Sequence, residues 1–211
     1  MELTYYGAGC VLITTKQGRV LVDPPDPSMG WQLPKLKPEI TLWTIQQPDG
    51  FHHKDGFAVA SPGEYEIKGI EVQAIAAQLH ADEPKSPRRG LMYVIEAGGV
   101  RLLVTGNITA DLDSNQTEAA GEVDALVVPV GGHGLTLDAS GAAKVVSHFE
   151  PSFVIPVHYD DGKTKYAVPQ DGLAEFLKEV GGEGSKPVDR LKLAAADSSE
   201  DTTVVILEVQ N

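Results

Sequence analysis

The same hairpin is written twice in this chain, and that repetition constrains the fold more than any other feature. Cys10-Val11-Leu12-Ile13, a turn at Gly18 and Arg19-Val20-Leu21-Val22-Asp23 make the first copy. Met92-Tyr93-Val94-Ile95, a turn at Gly98-Gly99 and Arg101-Leu102-Leu103-Val104 make the second. Short apolar, β-branched runs punctuated by glycine are strand signals. Two hairpins of one design, each followed by a polar loop, predict two related halves. A chance likeness between two hairpins is the competing reading.

The rest of the chain fits around this frame. Glu2–Tyr6 opens as a strand, and Pro24, Pro25, Pro27, Pro34 and Pro38 enforce a loop-rich excursion by fixing φ and removing donors. Strands are expected at Ile40–Ile45, Ala58–Ala60, Tyr65–Ile67 and Ile70–Ala77, with Lys68-Gly69 as a tight turn. Ala125–Val130 and Phe153–Val157 are continuous apolar runs, the pattern of strands buried on both faces. Between them Asp138 is placed to cap a helix over Ala139–Phe149, with Ala142, Val145, Val146 and Phe149 at helical spacing. Pro169 is expected to open another helix that stops at Gly181-Gly182, and Thr202–Val209 to close as a strand. Hairpins followed by β-α-β, without a linker, predict a single α/β layered domain over residues 1–211.

Charge and cysteine content narrow the function classes. The 30 Asp+Glu against 17 Lys+Arg give a net charge of −13, which repels phosphate backbones and anionic membranes. Nucleic acid and membrane are therefore not expected partners. No apolar stretch approaches a membrane span, the N-terminus has no signal-peptide pattern, and the lone Cys10 excludes an internal disulfide. Cytoplasm is the expected compartment. Lys85, Arg88 and Arg89 form the one basic run, read first as a solvated loop and second as an anion-binding corner.

Four loops at strand ends carry polar residues, where a layered fold usually places its site: Pro48–Asp55, Leu79–Asp82, Gly106-Asn107 and Pro156–Asp161. Taken in order with Gly7-Ala8-Gly9-Cys10, Leu21-Val22-Asp23-Pro24, Pro62-Gly63-Glu64-Tyr65-Glu66, Asp124–Gly132 and Ile155-Pro156-Val157-His158-Tyr159, they resemble the metallo-β-lactamase superfamily. The resemblance is to its bacterial branch of L-ascorbate-6-phosphate lactonase-like, Zn-dependent hydrolases. It implies a four-layer αββα sandwich of two related halves.

The resemblance also implies a metal-binding loop reading His-x-His-x-Asp-His, which this chain does not keep. Its loop is Thr44-Ile45-Gln46-Gln47-Pro48-Asp49-Gly50, so Ile45, Gln47 and Gly50 stand where histidines are expected and Asp49 alone remains. His80 matches the third histidine, Asn107 replaces the bridging aspartate, and His158 matches the last histidine. A catalytic zinc normally needs three protein ligands and an open water position. The expectation is a vestigial pocket of Asp49, His80, Asn107 and His158, with no confident catalytic residue and no metal or cofactor.

A rearranged site is the alternative. His52 or His53 could join Asp49, His80 and His158 around one zinc, iron or manganese ion. The plainer reading of His52-His53 is an exposed loop pair. His133 falls where the branch has a loop near the substrate mouth, His148 falls on a helix as a structural residue, and Cys10 is expected to pack as a small hydrophobe. Two functions follow: a non-catalytic binding or structural domain, or a metal-dependent hydrolase of lactones, esters or phosphodiesters on a reduced mononuclear site. A small anionic ligand or a protein partner is expected, and a homo-oligomer is possible in either case.

Overall fold

The computed structural model describes residues 1–25, 29, 33–46, 54–81, 87–197, 199 and 201–210. The first sheet contains β1 (Glu2–Tyr5), β2 (Val11–Thr14), β3 (Arg19–Val22), β4 (Ile40–Leu42) and β5 (Phe57–Val59) in that order. The second contains β6 (Gly63–Ile67), β7 (Ile70–Ala77), β8 (Gly90–Ala97), β9 (Val100–Val104), β10 (Ala125–Pro129) and β11 (Phe153–Val157), again in order. β12 (Leu191–Lys192) flanks β1, and β13 (Thr203–Val204) flanks β11.

The repeated hairpin is the visible part of a repeated topology. β1, β2 and β3 run antiparallel, then β3, β4 and β5 run parallel. β7, β8 and β9 run antiparallel, then β9, β10 and β11 run parallel. The two halves follow one plan, as the sequence predicts.

One core lies between the sheets. Val11, Ile13, Val20 and Val22 of the first hairpin join Tyr93, Ile95, Leu102 and Val127 of the second half in a single apolar cluster. Alternation along β2 and β3 sends Leu12 and Leu21 the other way, where they pack with Tyr6, Cys10, Leu33 and Leu36. The proline-rich excursion thus covers the outer face of the first sheet through its leucines. Among the described residues the α-helices all follow the second half's strands: α1 (Ser114–Ala120), α2 (Ala139–Phe149) and α3 (Ala174–Glu179).

Cap chemistry sets these helices. Asp138 caps α2 at the predicted residue, its Oδ1 accepting from Gly141 N at 2.8 Å. α1 was not foreseen, although Asp113 and Gln116 form a capping box. Gln116 Nε2 also donates to Ala76 O at 2.8 Å, which docks α1 onto β7. α3 starts later than Pro169 predicts, because Gln170 and Asp171 are drawn into contacts with the loops after β10 and β11.

β4 is also shorter than predicted, for a reason that shapes the site. Trp43 N still donates to Val59 O at 3.2 Å, and beyond it the chain leaves the first sheet and pairs with the second. Leu91 N donates to Thr44 O at 2.7 Å, and Gln46 N donates to Arg89 O at 2.7 Å. The closing strand is likewise divided: Thr203 and Val204 pair with β11, while Val209 bridges Tyr5 of β1. Among the described residues no helix is long and apolar enough to cross a membrane.

Candidate functional site at the shared rim of the two sheets

The rim is built outward from Asp23. It ends β3 with a left-handed backbone (φ 41), and its carboxylate accepts from Thr44 N at 2.8 Å and from the Thr44 hydroxyl. Burial pushes the Asp23 carboxyl up to about 6, against the two Thr44 hydrogen bonds, which pull it down. Thr44 in turn fills the space beside Gly106: a Cβ there would overlap the Thr44 side chain, and φ is +62. Glycine is required on both counts.

That contact places Asn107 one residue along the chain from the packing against Thr44. Asn107 O accepts from His80 N at 2.9 Å, and the pairing continues through the Leu79–Ile108 bridge and Thr109 N to Gln78 O at 3.0 Å. His80 is exposed and Asn107 half-buried. The backbone therefore links Thr44, Gly106-Asn107 and His80 along one edge.

His158 reaches the same rim from the end of β11. Its N–H donates to Ala8 O at 2.7 Å and lies 3.2 Å from the Tyr5 hydroxyl. Ala8 belongs to the Gly7–Cys10 turn, and Gly9 of that turn sits against Asp23. The His158 ring is buried beside Tyr166, with Nδ1 3.2 Å from Gln170 Oε1. Burial lowers its pKa below the ordinary imidazole value; the Gln170 hydrogen bond opposes that shift.

Asp49, His52 and His53, together with Gln47, Gly50 and Lys85, lie outside the described residues. Among the described residues no three His, Cys, Asp or Glu side chains come together in a way that could hold a metal ion. His80 and His158 supply imidazoles, and Asn107 supplies a neutral amide. These described residues do not by themselves fit a dinuclear centre.

The remaining candidates sort by geometry. Arg88 pairs with Asp113 at the start of α1 and its carbonyl accepts from Gln46 Nε2, so both its guanidinium and its carbonyl take part in the framework. His133 has a left-handed backbone (φ 54) and its Nε2 lies 2.9 Å from Asp171 Oδ1. His148 is exposed in the last turn of α2, against Phe149. Cys10 is fully buried, and burial raises its thiol pKa well above the ordinary value, which suits a packed residue. Sequence reasoning passed over Asp23, Thr44 and Gln170. An aspartate closing a strand before a proline was an available signal for the first; Gln170 carried none.

A two-sheet sandwich of repeated halves, with its polar rim at the ends of β3, β4, β7, β9 and β11, is the metallo-β-lactamase fold. The chain belongs to this superfamily: the profile of the β-lactamase superfamily domain matches residues 2–158. A UPF0173 metal-dependent hydrolase of Thermococcus onnurineus is 31% identical over 121 residues, covering 56% of this chain and 52% of that relative. The chain thus spans about half of that protein's length. One from Thermus thermophilus is 24% identical over 230 residues, covering 92% and 99%. A solved metallo-β-lactamase superfamily structure from Thermotoga maritima superposes with a TM-score of 0.77 at 24% identity, covering 99% of both chains.

Proposed function

We propose that this member of a metal-dependent hydrolase family has given up dinuclear hydrolysis and keeps the rim as a binding pocket for a small polar ligand. Asn107 carries this reading. It occupies the Gly-Asn step where the family motif has a bridging carboxylate, and an amide cannot neutralise two cations. The substitutions Ile45, Gln47 and Gly50 in the same motif support it. With no metal charge to act on a bound water, no group among the described residues of the rim supplies a comparable charge to bring that water's pKa towards neutrality. A buried lone cysteine supports a cytoplasmic setting, and −13 net charge argues against nucleic acid.

The test is metal content and turnover of the purified full chain after incubation with zinc, iron or manganese. The expected result is less than one tightly held ion per chain and no chelator-sensitive hydrolysis of esters, lactones or phosphodiesters. Stoichiometric metal together with such turnover overturns the proposal. A second reading is favoured by the survival of His80 and His158: a mononuclear, lactonase-like hydrolase completed by Asp49. It predicts chelator-sensitive activity that His158→Ala abolishes.

A further inference from the structure

We propose that Gln170 is a positioning residue that fixes His158 as the tautomer protonated on Nδ1, so that His158 meets any ligand through the lone pair of Nε2. The inference deepens the binding-pocket reading and rests on it for the word ligand alone; the tautomer itself stands on geometry.

The argument starts at the amide of Gln170. Its Nε2 donates to two backbone carbonyls, Val168 O at 3.0 Å and Pro169 O at 2.7 Å. An amide nitrogen has two protons, and both are engaged, so the orientation of the side chain is settled by its own loop. Oε1 is left facing His158 Nδ1 at 3.2 Å, and an amide oxygen can only accept. Nδ1 must therefore carry the proton, and in the neutral ring Nε2 carries the lone pair. Free imidazole side chains prefer the opposite tautomer, so the clamp reverses an intrinsic preference.

The surroundings leave this arrangement little freedom. A Cβ on Gly131 would overlap both Gln170 Oε1 and His158 O, so the glycine admits the clamp by having no side chain. Asp171 N donates to Gly131 O at 2.7 Å, which ties the residue after Gln170 to the same strand end. His158 is held in a left-handed backbone (φ 53) by Ala8 and Tyr5. Gln170 and Gly131 thus serve one purpose, which is to set the direction in which a buried imidazole is basic. Such a ring suits a hydrogen-bond donor or a transition-metal ion, and disfavours an anionic oxygen.

The decisive measurement is long-range proton–nitrogen NMR on the histidine rings of the full chain, at a pH where His158 is neutral, with His158→Gln used for assignment. The expected spectrum has His158 protonated on Nδ1 and unprotonated on Nε2. Gln170→Leu, which keeps bulk and loses the acceptor, should move the proton towards Nε2. A wild-type ring protonated on Nε2 overturns the proposal without any variant, and so does a Leu variant that folds with the tautomer unchanged. None of these readouts depends on metal content or turnover, so failure here and failure of the binding-pocket reading are told apart.

Discussion

Two titrating residues at the rim pull stability in opposite directions with pH. Asp23 has a folded pKa raised to about 6, above its unfolded value, so the folded state binds the extra proton. Its contribution grows as pH falls from about 6 towards the ordinary aspartate range, and shrinks as pH rises. His158 has a folded pKa below its unfolded value, so its contribution is full above the ordinary imidazole pKa and is lost as pH falls through that window. Thermal melts across pH 4 to 8 should show Asp23→Asn removing the first dependence and His158→Gln the second. Gly106→Ala should cost about 1–3 kcal/mol in denaturant titration, because the added methyl meets Thr44 in a packed rim and the left-handed backbone disfavours alanine. Two of these residues were legible in the sequence, where Gly106 and His158 stand inside recognisable motifs. Asp23's role was not, since its partner Thr44 is far along the chain and only folding makes them neighbours.

Among elements, the turns and caps are where propensity and structure can be weighed separately. Lys68 sits at φ 56 and Gly69 at φ 78 between β6 and β7, the geometry of a primed hairpin turn. A lysine pays strain there that asparagine largely avoids, while its ion pair with Glu39 at 3.8 Å is exposed and worth little. Lys68→Asn should therefore stabilise the fold by about 0.5 kcal/mol, read as a higher denaturation midpoint with unchanged slope. Asp113→Ala should cost about 1–2 kcal/mol by the same measurement, since it removes the cap from Gln116 N and the Arg88 pairing together. The helix that Asp113 starts escaped sequence reading because its seven residues have no apolar period; the capping box was its one signature. α2 was read to the residue because period and cap agreed there. The last strand was overextended, because its apolar run serves two sheets in turn rather than one.

At the scale of the molecule, the fold was legible because duplication repeats its signals, and a misread strand in one half is corrected by its counterpart in the other. The site was less legible because it consists of what two halves contribute to a common edge. A further prediction belongs to this scale. If the rim holds its shape through protein contacts, removing divalent metals with a chelator should leave the melting temperature unchanged, whereas a metal-stapled rim would melt several degrees lower.

The crossing of the chain from the first sheet to the second beyond Trp43 gives that expectation a mechanical form. Thr44–Gln46 is sewn to β8 on one flank, His158 to Ala8 near the middle, and Val209 to Tyr5 on the other flank. Among the described residues the mouth is sewn by backbone hydrogen bonds at each of these places. The opposite end is joined more lightly, by the exposed Lys68–Glu39 ion pair between the β6–β7 turn and the residue before β4. A margin held by backbone pairing outlasts one held by an exposed ion pair. Amide exchange should accordingly begin at the far turns and reach the paired segments of the rim last.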